Sequence, residues 1–345
     1  MPKSIEIRQN TSILFISKLY YPHIGGVEKH LDFLCRELIR GGMSVTILTE
    51  QFTKRLNLYE KKDGVEIVRI PVTEKLFLKK FFIWKWILFH PLFLFKFNVI
   101  HIHDVFYYVL PFRLLFFFKK VFITFHGYEG YPIKFRWIVA RKIAEYLTNG
   151  NICVGDFMKK WYFTRPTSVI YGAVSLRSTN SKPKDHSALF FGRLDDQTGI
   201  LEYIEAYKKI KQKYANFKLT VIGEGPLRNK IPKEVEVIKF KSNVDQYIQA
   251  NRFIFVSRYL SMLEALSQKR EVIAVYDNPI KKDYIYISPF KKYVSVAGTS
   301  KEISNIVLRK LKNNQNYEMV EAGYSWAQKL TWKKMAKTYL QLWGY

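Results

Sequence analysis

Acidic residues are scarce in this sequence: 29 aspartates and glutamates stand against 56 lysines and arginines, a formal net charge of +27. That excess excludes a surface of balanced charge and asks for a polyanionic neighbour, a lipid surface or a lysine-rich solvent face. Cysteine is nearly absent. Cys35 and Cys153 are too few for a disulfide framework, and neither has the Cys/His spacing of a zinc site. A reducing, cytoplasmic interior is therefore expected, with each thiol acting as a small buried apolar residue. Long uninterrupted apolar runs are missing too. The most apolar stretch, LFLKKFFIWKWILFHPLFLFKFNVI, is broken by Lys79, Lys80, Lys85, His90, Pro91 and Lys96, whereas a spanning helix needs roughly 20 mostly apolar residues. The stretch reads instead as one that lies on a surface. The N-terminal MPKSIEIRQNTSILFIS lacks the regions of a signal peptide.

What is present is a chain of 345 residues, 48% hydrophobic and 25% charged, long enough for two ordinary domains each with its own core. The charge raises nucleic acid as a partner, but zinc-finger spacing, an RNP-type aromatic motif and an isolated basic tail are all missing. The lysines are spread over both halves and mixed with Phe and Trp. That mixture fits an anionic membrane surface better, where a basic residue gains about 1 kcal/mol. A lysine-rich solvated surface is the competing reading.

In the first half, SILFIS, SVTILTE, VEIVRIP, NVIHIH, KVFITFHG, NICVG and TSVIYG suit buried strands. Between them GVEKHLDFLCRELIRGG places Val27, Leu31, Leu34, Cys35 and Leu38 at spacings of three and four, the mark of one helix face, and Gly41-Gly42 stops it. Residues 172–187 turn polar, GAVSLRSTNSKPKDHS, and read as a linker. Alternation then resumes: strands ALFFGRL, FKLTVIG, VEVIKF, RFIFVS and REVIAVY, with helices GILEYIEAYKKIKQKY, VDQYIQA and LSMLEALSQ between them. This order predicts an α/β fold of two doubly wound parallel-sheet domains, 1–175 and 176–325, followed by a terminal helical segment 326–345. The expected ligand site is a cleft between the halves.

Several strand ends carry candidate chemistry. LYYPHIGGVEKH puts Gly25 and Gly26 at a helix N-terminus, where backbone N–H groups favour a phosphate and a missing Cβ lets it approach, although Gly-Gly alone also fits a plain turn. HIHD (His101 to Asp104) and TFHGYEG (Thr124 to Gly130) end strands. His101 and His103 share a side without a further ligand cluster, so no metal is expected, and His126 is the better functional candidate. FGRLDDQTG sets Arg193 after a strand, where a guanidinium grips a diphosphate with several donors or pairs with Asp195 or Asp196. In RYLSMLEALS, amides near Ser261 and Met262 face a phosphate. Glu264 accepts ribose hydroxyls or simply stabilises a first helical turn.

The order of these motifs resembles the retaining glycosyltransferases of the GT-B fold, two Rossmann-like domains, and among them glycosyltransferase family 4. The resemblance runs from YYPHIGGVEKH through HIHD, FHG, GRLDDQTG, VIGEGP and LEAL to YSWAQKLTWKKMAKTYLQL. It implies a donor held mainly by the C-terminal domain, an acceptor held mainly by the N-terminal one, and a last helix, from Trp326, that crosses back to the first domain. It further implies Gly25 and Gly26 near the donor diphosphate, His126 near the donor sugar, Arg193 on the phosphates, and Glu264 as the second glutamate of E-x7-E on the ribose. Catalysis in that family takes no metal, because cationic side chains and amides neutralise the leaving diphosphate. Two departures stand out. Thr198 occupies the place of the family's phosphate-binding lysine, and Val256, inside a predicted strand, stands where the first glutamate is expected. Arg258, Lys269 or a lysine of NPIKKDY are the candidates to restore the lost charge.

The expected activity is transfer of a sugar from a nucleotide-sugar, a UDP- or GDP-sugar, to a glycan or lipid-linked acceptor, with no cofactor and no metal. The basic, aromatic stretch Lys75 to Phe97, followed by FRLLFFFKK, suggests a peripheral place on the cytoplasmic membrane face. A non-catalytic nucleotide-sugar-binding scaffold would also explain the two departures. A basic nucleic-acid-binding protein would explain the charge alone.

Overall fold

The structure is a computed structural model that describes residues 11–73, 75–176, 182–312 and 317–345. The first ten residues and the middle of the polar linker, 177–181, lie outside the described residues. The chain divides into two compact units, Met1–Ile170 with Trp332–Tyr345, and Tyr171–Thr331.

The first unit is built on eight strands: β1 (Ser12–Ile16), β2 (Ser44–Gln51), β3 (Tyr59–Lys62), β4 (Val65–Pro71), β5 (Val99–His103), β6 (Val121–Phe125), β7 (Asn151–Val154) and β8 (Ser168–Ile170). They lie in the order β3-β4-β2-β1-β5-β6-β7-β8, parallel except for the β3–β4 hairpin. Helices cover both faces of such a sheet, which is why Ile13, Leu14, Phe15 and Ile16 are consecutive and all fully buried. The sequence reading omits β3. Its residues YEKK show no apolar alternation because they form a polar edge, and the sign that was there is Asp63-Gly64, with φ of 50° and 83°, a two-residue hairpin turn.

The helix Gly26–Arg40 buries Leu31, Leu34, Cys35 and Leu38 as its periodicity requires. His30 joins that face in place of Val27, which is half-buried. The interrupted apolar stretch forms two helices, Leu76–Phe89 and Pro91–Phe95. Among the described residues no helix is long and apolar enough to cross a membrane.

The second unit holds β9 (Lys184–Phe191), β10 (Lys218–Ile222), β11 (Glu236–Ile238), β12 (Asn251–Phe255), β13 (Glu271–Val275) and β14 (Ser295–Ala297), all parallel, in the order β11-β10-β9-β12-β13-β14. The sequence reading also omits β14, whose three residues SVA hold a single branched apolar side chain. Trp326 packs on Phe290 and Tyr293 within this unit, with ring centroids 4.9 and 5.0 Å away. The segment that joins the first unit begins at Trp332, whose ring stacks on Phe33 at 5.0 Å.

Candidate active site

In the second unit the sheet order reverses between β9 and β12, so the turns that follow these two strands open side by side. That reversal is where an open parallel sheet leaves a crevice for a ligand. The turn after β9 carries Arg193 and runs to Gly199. Gly223 and Gly225 seat it. A Cβ on Gly223 would lie 1.9 Å from the Gly192 carbonyl oxygen, and one on Gly225 would lie 2.4 Å from that of Leu194. The glycines of VIGEGP therefore serve close backbone approach, and the Leu194 N–H donates to Glu224 O at 2.9 Å.

Arg193 is exposed and paired with Asp195 at 3.3 Å. Thr198, in the place of the family's lysine, is buried and donates its hydroxyl to Asp195 O at 2.7 Å. Two basic side chains nevertheless reach this turn from elsewhere. Lys281, in the helix Pro279–Tyr286, donates from Nζ to the Gln197 carbonyl at 2.7 Å, and Arg258 donates from Nη2 to Gln197 Oε1 at 3.1 Å. Lys281 is 1% exposed. Burial, and then the positive charge of Arg258, pull its ammonium well below the usual lysine range, while Asp277 and Asp195 push the other way. Lys269 takes no part. It follows the far end of the helix Tyr259–Leu266, about 12 Å along its axis, and pairs with Glu321 at 2.8 Å.

Arg258 is also the residue at which the helix Tyr259–Leu266 begins. The Tyr259 N–H is taken by the Tyr284 hydroxyl at 2.8 Å. The next two amides, Leu260 and Ser261, have no partner among the described residues. Met262 does not supply an amide to a ligand: its N–H donates to Arg258 O at 2.9 Å, and its side chain is fully buried. The helix closes its first internal bond there, so the open donors sit one residue earlier than the sequence suggests. Glu264 is half-buried and is the sixth helical residue. It stands beyond the first turn, so its interaction with the helix dipole is weak and does not explain its presence. β12 ends at Phe255, leaving Val256 just beyond it and buried. The Tyr203 hydroxyl, 2.8 Å from Ser257 Oγ and donating to Ile273 O at 2.9 Å, holds this turn in place.

In the first unit the order reverses between β1 and β5. Gly25 caps the helix Gly26–Arg40, whose first internal bond runs from the Lys29 N–H to Gly25 O at 3.0 Å. A Cβ on Gly26 would meet nothing within 4 Å. Glu28 folds back beside this helix start, its carboxylate 3.2 Å from His23 Nδ1, so an acid already lies near the donors that the glycines expose.

His126 follows β6 and is half-buried. Its N–H donates to Asp104 Oδ1 at 2.8 Å, and its Nε2 lies 2.7 Å from His103 Nδ1. Behind it three further histidines gather, His30, His101 and His103. Trp343 can only donate, so His101 Nδ1 accepts from its indole at 3.0 Å and keeps its own proton on Nε2, which goes to Thr124 Oγ1 at 2.8 Å. Thr124 and the Tyr339 hydroxyl are 2.9 Å apart, and Tyr339 lies 3.0 Å from His30 Nε2. Burial holds His30, His101 and His103 well below the usual histidine range, and pushes His126 down to about 3. The cluster is neutral near pH 7. Among the described residues no group of three or more His, Cys, Asp or Glu side chains could hold a metal ion. The sequence reading missed Gln197, which joins Arg258 and Lys281. Those contacts cross 61 and 84 positions, and no local pattern announces them.

The model of Glycosyltransferase Family 4 matches residues 24–177, and that of Glycosyl transferases group 1 matches residues 175–326. The chain belongs to this family of glycosyltransferases. An uncharacterized glycosyltransferase of Methanocaldococcus jannaschii is 35% identical over 66 residues, which are 19% of this chain and 16% of that protein's length. Among solved structures, sucrose-phosphate synthase from Thermosynechococcus elongatus is similar with a TM-score of 0.75 at 15% identity, over 96% of this chain and 98% of that one. The Anabaena protein HepE, solved in complex with UDP-glucose, gives 0.69 at 12% identity, over 96% and 99%. At these identities the likeness shows the fold, which is GT-B.

Proposed function

We propose that the protein transfers a hexosyl group from a nucleotide-sugar to a lipid-linked or other membrane-proximal glycan, with retention of configuration and without a metal or cofactor of its own. The proposed place of work is the cytoplasmic face of a membrane. One observation carries the reading: Arg193, Arg258 and Lys281 converge on the turn after β9, and Arg258 stands at the start of the helix Tyr259–Leu266, where two amides lack partners among the described residues. Such a cluster suits a diphosphate, whose charge grows as the bond to the sugar breaks. The UDP-glucose held by HepE is a donor of this class.

In this reading Arg193 opens its ion pair with Asp195 to meet the phosphates, and Arg258 contacts them with the Leu260 and Ser261 amides. Lys281 is covered, so it acts by fixing the Gln197 carbonyl. Glu264 holds the ribose; for the first unit the family resemblance assigns Gly25 and Gly26 to a diphosphate and the neutral His126 to a donor sugar. The relocated cations favour an active enzyme over a non-catalytic scaffold. Arg258→Ala and Lys281→Met should each lower donor turnover by about 100-fold while the thermal midpoint stays near that of wild type. Full turnover in both variants would reject the assignment.

A further inference from the structure

The helix Leu76–Phe89 presents apolar side chains in every direction, yet among its described side chains only Ile83 and Ile87 are fully buried. A helix that is apolar all round is ordinarily covered all round. Here Phe81 and Phe82 are exposed, Phe89 is 75% exposed, and Leu92 in the next helix is 82% exposed. The inward side is fixed by an ion pair between Lys79 and the buried Glu50, and by the Trp84 indole, which donates to Tyr107 O at 2.6 Å. The outward face is therefore held out by the fold itself. Phe117 and Phe118 extend it: Phe118 stacks on Phe95 at 5.9 Å, and both residues are mostly exposed.

The charge on this face is of one sign. From Lys75 to Tyr128 the sequence contains a single acid, Asp104, while Lys75, Lys80, Lys85, Lys96 and Lys120 are all exposed. Several of these lysines lie along the rings rather than away from them. Lys96 Nζ is 4.7 Å from the centre of Phe93, and Lys85 Nζ is 5.9 Å from that of Phe89. Long side chains so placed lay apolar stems on the ring surface and carry their charge to its rim.

We propose that this face seats the protein on an anionic bilayer, with Phe81, Phe89, Leu92, Phe117 and Phe118 at the headgroup–acyl boundary and the lysines at the level of the phosphates. A second copy of the chain would set lysine against lysine. A bilayer takes rings and cations together without a matching shape. The surface does not depend on the transferase reading; only its consequence does, that the acceptor is carried on a lipid.

The test is co-sedimentation of the full chain with vesicles of phosphatidylcholine alone and of phosphatidylcholine mixed with phosphatidylglycerol. Wild type is expected to bind the anionic vesicles and to bind the neutral ones far more weakly. The variant Phe89→Ser/Leu92→Ser/Phe117→Ser should lose about tenfold or more in affinity for anionic vesicles, and Lys80→Glu/Lys85→Glu/Lys96→Glu should lose at least as much. Thermal midpoints of both variants should match wild type, because every altered side chain is exposed. Binding that is indifferent to lipid charge, binding that both variants keep, or self-association through these residues without vesicle binding would each overturn the proposal. Nucleotide release from a donor in the absence of lipid, measured on the same variants, separates failure of this surface from failure of the transferase reading.

Discussion

At the scale of the residue, the informative positions are those that depart from the family pattern. Thr198 has no charge to offer, and its hydroxyl is spent on Asp195 O, yet Lys281 brings an ammonium to the neighbouring peptide from 84 residues away. If the charge rather than its origin matters, a lysine at position 198 should compensate for loss of the one at 281. Thr198→Lys in a Lys281→Met background is expected to recover at least tenfold of the lost turnover, whereas Lys269→Ala, which breaks the pair with Glu321 and the contact with the Tyr324 ring, should leave turnover unchanged. Steady-state rates with the same donor decide it; no recovery together with normal folding would make Lys281 a structural anchor for Gln197. The place of Arg193 after β9 was legible from GRLDDQTG because a guanidinium after a strand and a glycine is a local pattern. Met262 was misplaced by one residue because an amide's engagement depends on where the helix closes its first bond, which residue types do not reveal.

At the scale of the element, the strands were legible and the interiors between them were not. Runs such as SILFIS and RFIFVS announce buried parallel strands because both sheet faces are covered. The polar edge β3 and the three-residue β14 carry no such pattern. The histidine cluster was half legible: His101, His103 and His126 stood out at strand ends, whereas His30, its partner Tyr339 and Trp343, the partner of His101, come from two helices far apart in sequence. That cluster sets a pH dependence. Histidines held neutral by burial have folded pKa values below the unfolded value of about 6.5, so the unfolded chain binds more protons and stability falls as pH drops below that value. His126, pushed down to about 3, extends the window to that pH. Each histidine should weaken the fold by up to about 1.4 kcal/mol per pH unit there. Thermal midpoints measured from pH 7.5 to 5 should fall steeply, and a flat profile would contradict a neutral cluster. Tyr339→Phe, which strips His30 and Thr124 of a shared partner, should cost about 1–3 kcal/mol at pH 7.5.

At the scale of the whole molecule, the alternation of strand and helix patterns announced two α/β units, and composition announced a surface in need of an anionic neighbour. It did not say which anion or where. Part of the excess charge lies in a small cluster around Gln197, proposed above for a diphosphate, and part on the lysine-rimmed aromatic face from Lys75 to Lys120, proposed for a bilayer. The second is visible as a run in the sequence; the first is not, because its contacts cross 61 and 84 positions. The donor base, the sugar and the acceptor depend on shapes that the motifs do not encode. The most direct measurement is nucleotide release from a panel of UDP-, GDP- and ADP-sugars, with and without a mixed lipid extract, by wild type and by Glu264→Ala. Release by wild type from one donor, stimulated by lipid and reduced by about tenfold or more in the variant, is the predicted result. Silence across the panel, with nucleotide binding still detected as a thermal shift, would contradict catalysis and leave a nucleotide-binding protein of the same fold.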